Sequence, residues 1–235
     1  MPVLFKAKEF LKSELRRLKN PVLTRDGIMR KKDFFDLIVL IQLRSKMKLY
    51  KTVLPNQRAR VLKLQNLNDP RSLQEYYTTA SEFMEREIDQ YERYFQEIID
   101  TIGISREVWE GSNEAYLQGP NTSGGTMNEN YELQQVERKL YEYLPQPILP
   151  RYLNKERAKE ILIDVNLRAK NLFKSKLQAL VSSPEMEPLL VETLAYDLGY
   201  LDYGIQENIF RFAVHNFELQ KDADIKEHFE DFYSR

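Results

Sequence analysis

The sequence predicts an all-α protein: two tandem antiparallel helical hairpins, the first long and the second short. Each is followed by a short helix, and an amphipathic helix precedes them. Three observations carry this. Apolar residues recur near every 3.6 positions rather than alternating. Glycine is sparse, eight in 235 residues, while charged residues reach 30%. And one series of signals occurs twice, which bounds an architecture more tightly than any single residue.

The first helix is expected over about 3–19. Leu4, Ala7, Leu11, Leu15 and Leu18 fall on one face, with Lys and Arg opposite. Asn20-Pro21 ends it, because proline disfavours helical geometry in the residue before it. Thr24 is expected to cap a second helix running to about Asn66, with Pro55 kinking or splitting it. Asp69-Pro70 reads as N-cap plus first-turn proline of an acidic helix reaching about Thr101. Gly103 stops that helix, and Ser105 caps a short one to about Gln118.

Residues 119–127, Gly-Pro-Asn-Thr-Ser-Gly-Gly-Thr-Met, read as a linker, followed by a helix over about 128–144. Pro145-Gln-Pro-Ile-Leu-Pro150 is a connector of polyproline type. The series then repeats. Asn154 stands for Thr24, Leu167 for Leu37, Ser175 for Ser45, Ser183-Pro184 for Asp69-Pro70, Gly204-Ile205 for Gly103-Ile104 and Phe210 for Trp109. The segments are therefore 1–20, a basic N-terminal helix; 21–118, the long hairpin unit; 119–150, a linker with one helix; and 151–235, the short hairpin unit.

Spacing and charge support the match. Thr24 to Pro70 is 46 residues and Asn154 to Pro184 is 30; Pro70 to Gly103 is 33 and Pro184 to Gly204 is 20. Both arms of the first unit are thus longer, by roughly 24 and 20 Å at ~1.5 Å per residue. An antiparallel hairpin requires such equal lengthening, because each arm buries the other's apolar stripe. The arm at 24–66 carries 11 Lys/Arg against 3 Asp/Glu, and its partner at 70–102 carries 3 against 8. Residues 154–181 and 184–203 repeat the polarity, with 7 against 3 and 0 against 5.

Several chemistries find no support. Cysteine is absent, which removes disulfides and thiolate chemistry. The longest apolar run, Leu37-Ile-Val-Leu-Ile41, is far short of the ~20 residues of a spanning helix. The glycines between 119 and 125 lack the lysine and strand of a phosphate loop. Glu82, Glu85 and Asp89 share a helix face, but no Glu-x-x-His accompanies them as a di-iron site would need. Asp222-Ala-Asp224 fails as a calcium loop, with Glu227 and Tyr233 at its sixth and twelfth positions. No enzyme, cofactor, metal or small-molecule substrate is expected.

A docking role is expected instead. Residues 1–67 carry 17 Lys/Arg and 5 Asp/Glu, whereas 68–147 carry 6 and 16. The first helix shows no acidic partner in sequence, so Lys8, Lys12, Arg16, Arg17 and Lys19 are candidate partner-binding residues. Trp109 and Phe210 are candidates for a partner helix, against the plainer reading that they fill the core. The expected partners are protein subunits with acidic surfaces. An anionic membrane face is the alternative, and nucleic acid is disfavoured by a sequence pI of about 6.2.

The helix start Leu-Thr/Asn-Lys/Arg-Asp/Glu, the two charged arms, Gly-Ile, the aromatic segment and Leu-Gln resemble a class of uncharacterised helical proteins abundant in ciliated protists. The likeness covers about 23–120 and 153–230. It implies a non-catalytic helical component of a cytoskeletal, ciliary or organellar assembly, and no catalytic residues. Cytoplasmic or cytoskeletal residence follows as the expectation. The basic N-terminus keeps a mitochondrial setting as the lesser one, since Glu9 and Glu14 are unlike a presequence.

Overall fold

The computed structural model describes residues 2–49, 52–66, 69–118, 127–181 and 183–225. These are mostly helical, and among them strand pairing is confined to an isolated antiparallel bridge, Leu23 to Met29. They form two compact units that cut across the segments drawn from the sequence. Unit 1 comprises residues 1–50 and 87–146, and unit 2 residues 51–86 and 147–235.

Unit 1 is built on α2 (Lys31–Leu49). Its Phe34, Leu37, Ile38, Val39, Leu40, Ile41 and Leu43 are all buried, covering the whole circumference. A helix apolar all round lies at the centre of its unit. Around it pack α1 (Pro2–Arg17), α5 (Arg106–Asn113), α6 (Met127–Tyr143) and the last turns of α4 (Pro70–Ile102). Ala7, Leu11 and Leu18 anchor α1, and Val136 and Leu140 anchor α6, so neither helix is an appendage of the core. Trp109 lies between Phe34 and Phe95, with ring centroids 4.9 and 5.0 Å away.

Unit 2 repeats the principle around α8 (Met186–Tyr203). Leu190, Val191, Leu194, Ala195, Tyr196, Asp197 and Leu198 are buried. The helices α3 (Val53–Leu64), α7 (Lys155–Leu172) and α9 (Glu207–Asn216), with residues of α4 up to Met84, complete this core. Gly199 allows the closest approach: a Cβ there would lie 3.3 Å from the Phe210 ring.

Local signals behave largely as the sequence indicates. Ser105 accepts from Val108 N and Asn154 from Arg157 N, each an N-cap bond. Asp69 Oδ1 accepts from Arg71 N at 3.1 Å. Gly103 and Gly204 are left-handed, at φ +76° and +67°. After the first, Ile104 N reaches back to Ile99 O, the closure that such a glycine permits.

Three expectations are corrected and one, at Pro55, is resolved. Thr24 does not cap a helix. Asp26-Gly27 is a turn pair, Gly27 takes φ +76°, and the Thr24 hydroxyl accepts from Ile28 N inside a loop that delays α2 to Lys31. The arm expected to kink or split at Pro55 is divided into α2 and α3, and Pro55 sits in the first turn of α3, where its missing N–H has no intrahelical acceptor. Ser183-Pro184 does not open α8, which begins at Met186 without a side-chain cap. Finally, Leu167 is 44% exposed whereas Leu37 is fully buried. In burial, Phe34, Leu37, Ile38 and Ile41 correspond to Ala158, Ile161, Leu162 and Val165, because the 24–30 loop shifts the register. Of the expected linker at 119–127, residues 119–126 lie outside the described residues and Met127 opens α6.

Candidate partner-binding groove

The amphipathic spacing that buries Ala7, Leu11 and Leu18 sends Lys8, Lys12 and Arg16 to the flank of α1. Each follows the last by four residues, about 6 Å of helix rise. They border a groove of about 360 Å³ in unit 1. Leu11, Leu15 and Ile98 give it an apolar floor, and Thr101 adds a hydroxyl at one edge. On the far side Arg44 pairs with Glu97 at 3.3 Å and lies over the Tyr94 ring, 5.1 Å from its centroid. Four cations thus surround one carboxylate, and that carboxylate is already engaged by Arg44. Among the described residues no acid forms an ion pair with Lys8, Lys12 or Arg16, which leaves the groove strongly positive.

The other candidates fall elsewhere. Arg17 does have acidic partners: Glu14, Asp33 and Asp36 accept from it at 2.7, 2.8 and 2.6 Å. Glu14 lies one turn back on α1, whereas Asp33 and Asp36 come from the α2 face that α1 covers, a contact invisible in a linear charge count. Asp36 also takes Lys139 of α6 at 2.5 Å, so one carboxylate clamps two helices onto α2. Partial burial pulls the guanidinium pKa down, but the hydrogen bonds it donates to Glu14 and Asp33 hold it up. Lys19 is exposed past the end of α1. Trp109 is half-buried in the aromatic contact described above, and Phe210 is fully buried against Tyr196. Phe210 is therefore closed to any partner, which corrects that expectation in favour of core packing.

Sequence reasoning missed a second polar constellation, in unit 2. Arg60 and Asp197 are both fully buried and joined by two bonds, Nε to Oδ2 at 2.7 Å and Nη2 to Oδ1 at 2.9 Å. Arg60 Nη2 also donates to Glu207 at 3.2 Å, and the Tyr76 hydroxyl donates to Asp197 at 3.0 Å. Gln57 donates to Tyr196 O and accepts from Glu207 N. Arg60 lies over the Phe83 ring, 4.8 Å from its centroid. Burial, with help from Glu207, pushes the Asp197 carboxyl up to about 6 in spite of Arg60, and drives the Tyr76 hydroxyl well above its usual range. A signal did exist: Gln57, Arg60, Val61 and Leu64 form one helical stripe, and Asp197 interrupts an apolar run. The side chains of this cluster are at most 6% exposed, so they tie α3, α4, α8 and α9 together and offer nothing to a solute.

No described helix is long and apolar enough to cross a membrane. In comparisons with protein-family models, curated proteins and solved structures, nothing matches this chain.

Proposed function

We propose that this chain is a non-catalytic structural or adaptor subunit of a larger protein assembly, docking an acidic partner surface through the basic groove of α1. The observation that carries the reading is the row Lys8, Lys12 and Arg16: three cations with no ion pair among the described residues, set beside an apolar floor. Uncompensated charge of one sign steers association, and the apolar floor supplies the burial that holds a partner. A cytoskeletal or ciliary assembly is the setting that the resemblance implies.

The helical-hairpin reading of the scaffold belongs to this proposal. Within unit 2, Arg60 meets Phe83 and Lys63 meets Glu75, so α3 runs forward as α4 runs back. Around α8, Asp202 pairs with Arg168 and the Tyr203 hydroxyl donates to Asp164, which supports α7 and α8 as the second pair.

A second reading, docking on an anionic membrane face or as an accessory to a mitochondrial complex, draws on Phe5. It is 67% exposed, three residues before Lys8. One experiment separates the two. Charge reversal at Lys8, Lys12 and Arg16 keeps the buried residues of α1, whereas deleting 1–20 removes Ala7, Leu11 and Leu18 from the core. Affinity capture from the native source with the reversed chain is expected to lose the partners that the parent recovers. Undiminished recovery, or sedimentation with phosphatidylserine vesicles in place of protein capture, rejects the leading reading.

A further inference from the structure

We infer that the occupant of the α1 groove is an acidic amphipathic helix of the partner, laid along α1. The inference rests on the docking reading above and names the chemistry of its ligand. Lys8, Lys12 and Arg16 form a straight ladder at the spacing with which a helix presents its own side chains at i, i+4 and i+8. A helix of opposite charge, carrying Asp or Glu at that interval, meets all three cations at once. Its neighbouring apolar residues then face Leu11, Leu15 and Ile98, the mode in which a helix lies in a groove with carboxylates at the rim.

The depth of the apolar floor argues against a lipid surface. Leu11 is 6% and Ile98 3% exposed, so they lie behind the cations rather than in front of them. A flat bilayer interface needs several protruding apolar side chains; Phe5 protrudes from α1 but the floor of the groove does not, whereas a partner helix can insert side chains of its own.

Two synthetic peptides of identical composition test this on the full chain. In one, Glu recurs every fourth residue beside a leucine face; in the other the same residues are scrambled. Fluorescence anisotropy is expected to show the patterned peptide binding at least about tenfold more tightly. Lys12→Glu with Arg16→Glu is expected to erase that difference, and Leu15→Gln to reduce binding of the patterned peptide alone. Equal binding of both peptides overturns the inference. So does concentration-dependent self-association that Lys12→Glu abolishes, which would make the occupant a second copy, or preferential binding to phosphatidylserine vesicles. If the peptides bind equally while charge reversal still abolishes native capture, the docking role stands and the acidic helix alone is rejected.

Discussion

Arg60 of α3 and Asp197 of α8 form a two-bonded ion pair with both side chains at 0% exposure, 137 residues apart in sequence. Such a pair does not stabilise a fold by its charge alone, because desolvating each ion offsets most of the attraction. Its consequence is registry: Asp197 accepts from only one arrangement of Arg60 and Tyr76, and Gln57 locks the start of α9 to α3.

Removing one partner strands the other in the core. Asp197→Leu and Arg60→Met are each expected to cost about 3–5 kcal/mol in urea unfolding. The double variant Arg60→Met with Asp197→Leu is expected to cost less than the sum, because the pair leaves together and Glu207 keeps Arg211 as a partner. Additive losses in the double-mutant cycle would show that the pair is not coupled.

The same carboxyl gives a pH dependence with a definite sign. Its native pKa of about 6 lies above the ~3.9 of an unfolded aspartate. Between these values the native state binds a proton that the unfolded chain does not. The contribution of Asp197 to stability is therefore complete below about pH 4 and is lost as pH rises through about 6. The difference in unfolding free energy between the parent and Asp197→Asn, followed from pH 4 to 7, is expected to move in that direction. A flat difference would place the native carboxyl at its ordinary value.

How far the sequence revealed this molecule follows from the range of its signals. Caps and stops are local, so Ser105, Asn154, Gly103 and Gly204 were legible. The loop at 24–30 was lost because Thr24 offers one cap and Asp26-Gly27 a turn, and only the anchoring of Met29 decides between them. Ser112 Oγ accepts from Met29 N at 2.9 Å and Tyr116 donates to Met29 O at 2.7 Å, both from residues more than eighty positions away. The basic row on α1 was visible from helical spacing, but the groove was not, since Ile98 and Arg44 come from other helices. Arg17 was grouped with that row because two of its acidic partners, Asp33 and Asp36, require the packing of α1 on α2.

Two glycines at the same backbone angle separate strain from contact. Gly27 and Gly103 both have φ +76°, but a Cβ on Gly27 meets nothing within 4 Å, while one on Gly103 would lie 2.6 Å from Asn20 Oδ1. Gly27→Ala is expected to cost only the left-handed penalty, about 1–2 kcal/mol. Gly103→Ala should cost more, and Asn20→Gly in the same chain should bring it back to the Gly27→Ala level. Equal thermal shifts for the two alanine variants would mean that Asn20 swings aside freely.

Lys12, Arg16 and Arg17 are neighbours on one helix but should behave as two classes. Arg17 holds Asp33 and Asp36 of α2, and its side chain is 38% exposed, so Arg17→Ala is expected to cost stability by about 1 kcal/mol. That loss should shrink at high salt, and partner capture should be retained because Arg17 lies outside the groove. Lys12→Ala and Arg16→Ala sever no ion pair among the described residues, so their unfolding midpoints should match the parent while capture weakens, most at low ionic strength where exposed charge acts furthest. A stability scan and a capture assay on these three variants decide the matter. If Arg17→Ala weakens capture as much as Arg16→Ala does at equal stability, the binding surface extends around α1, and the groove is not its boundary.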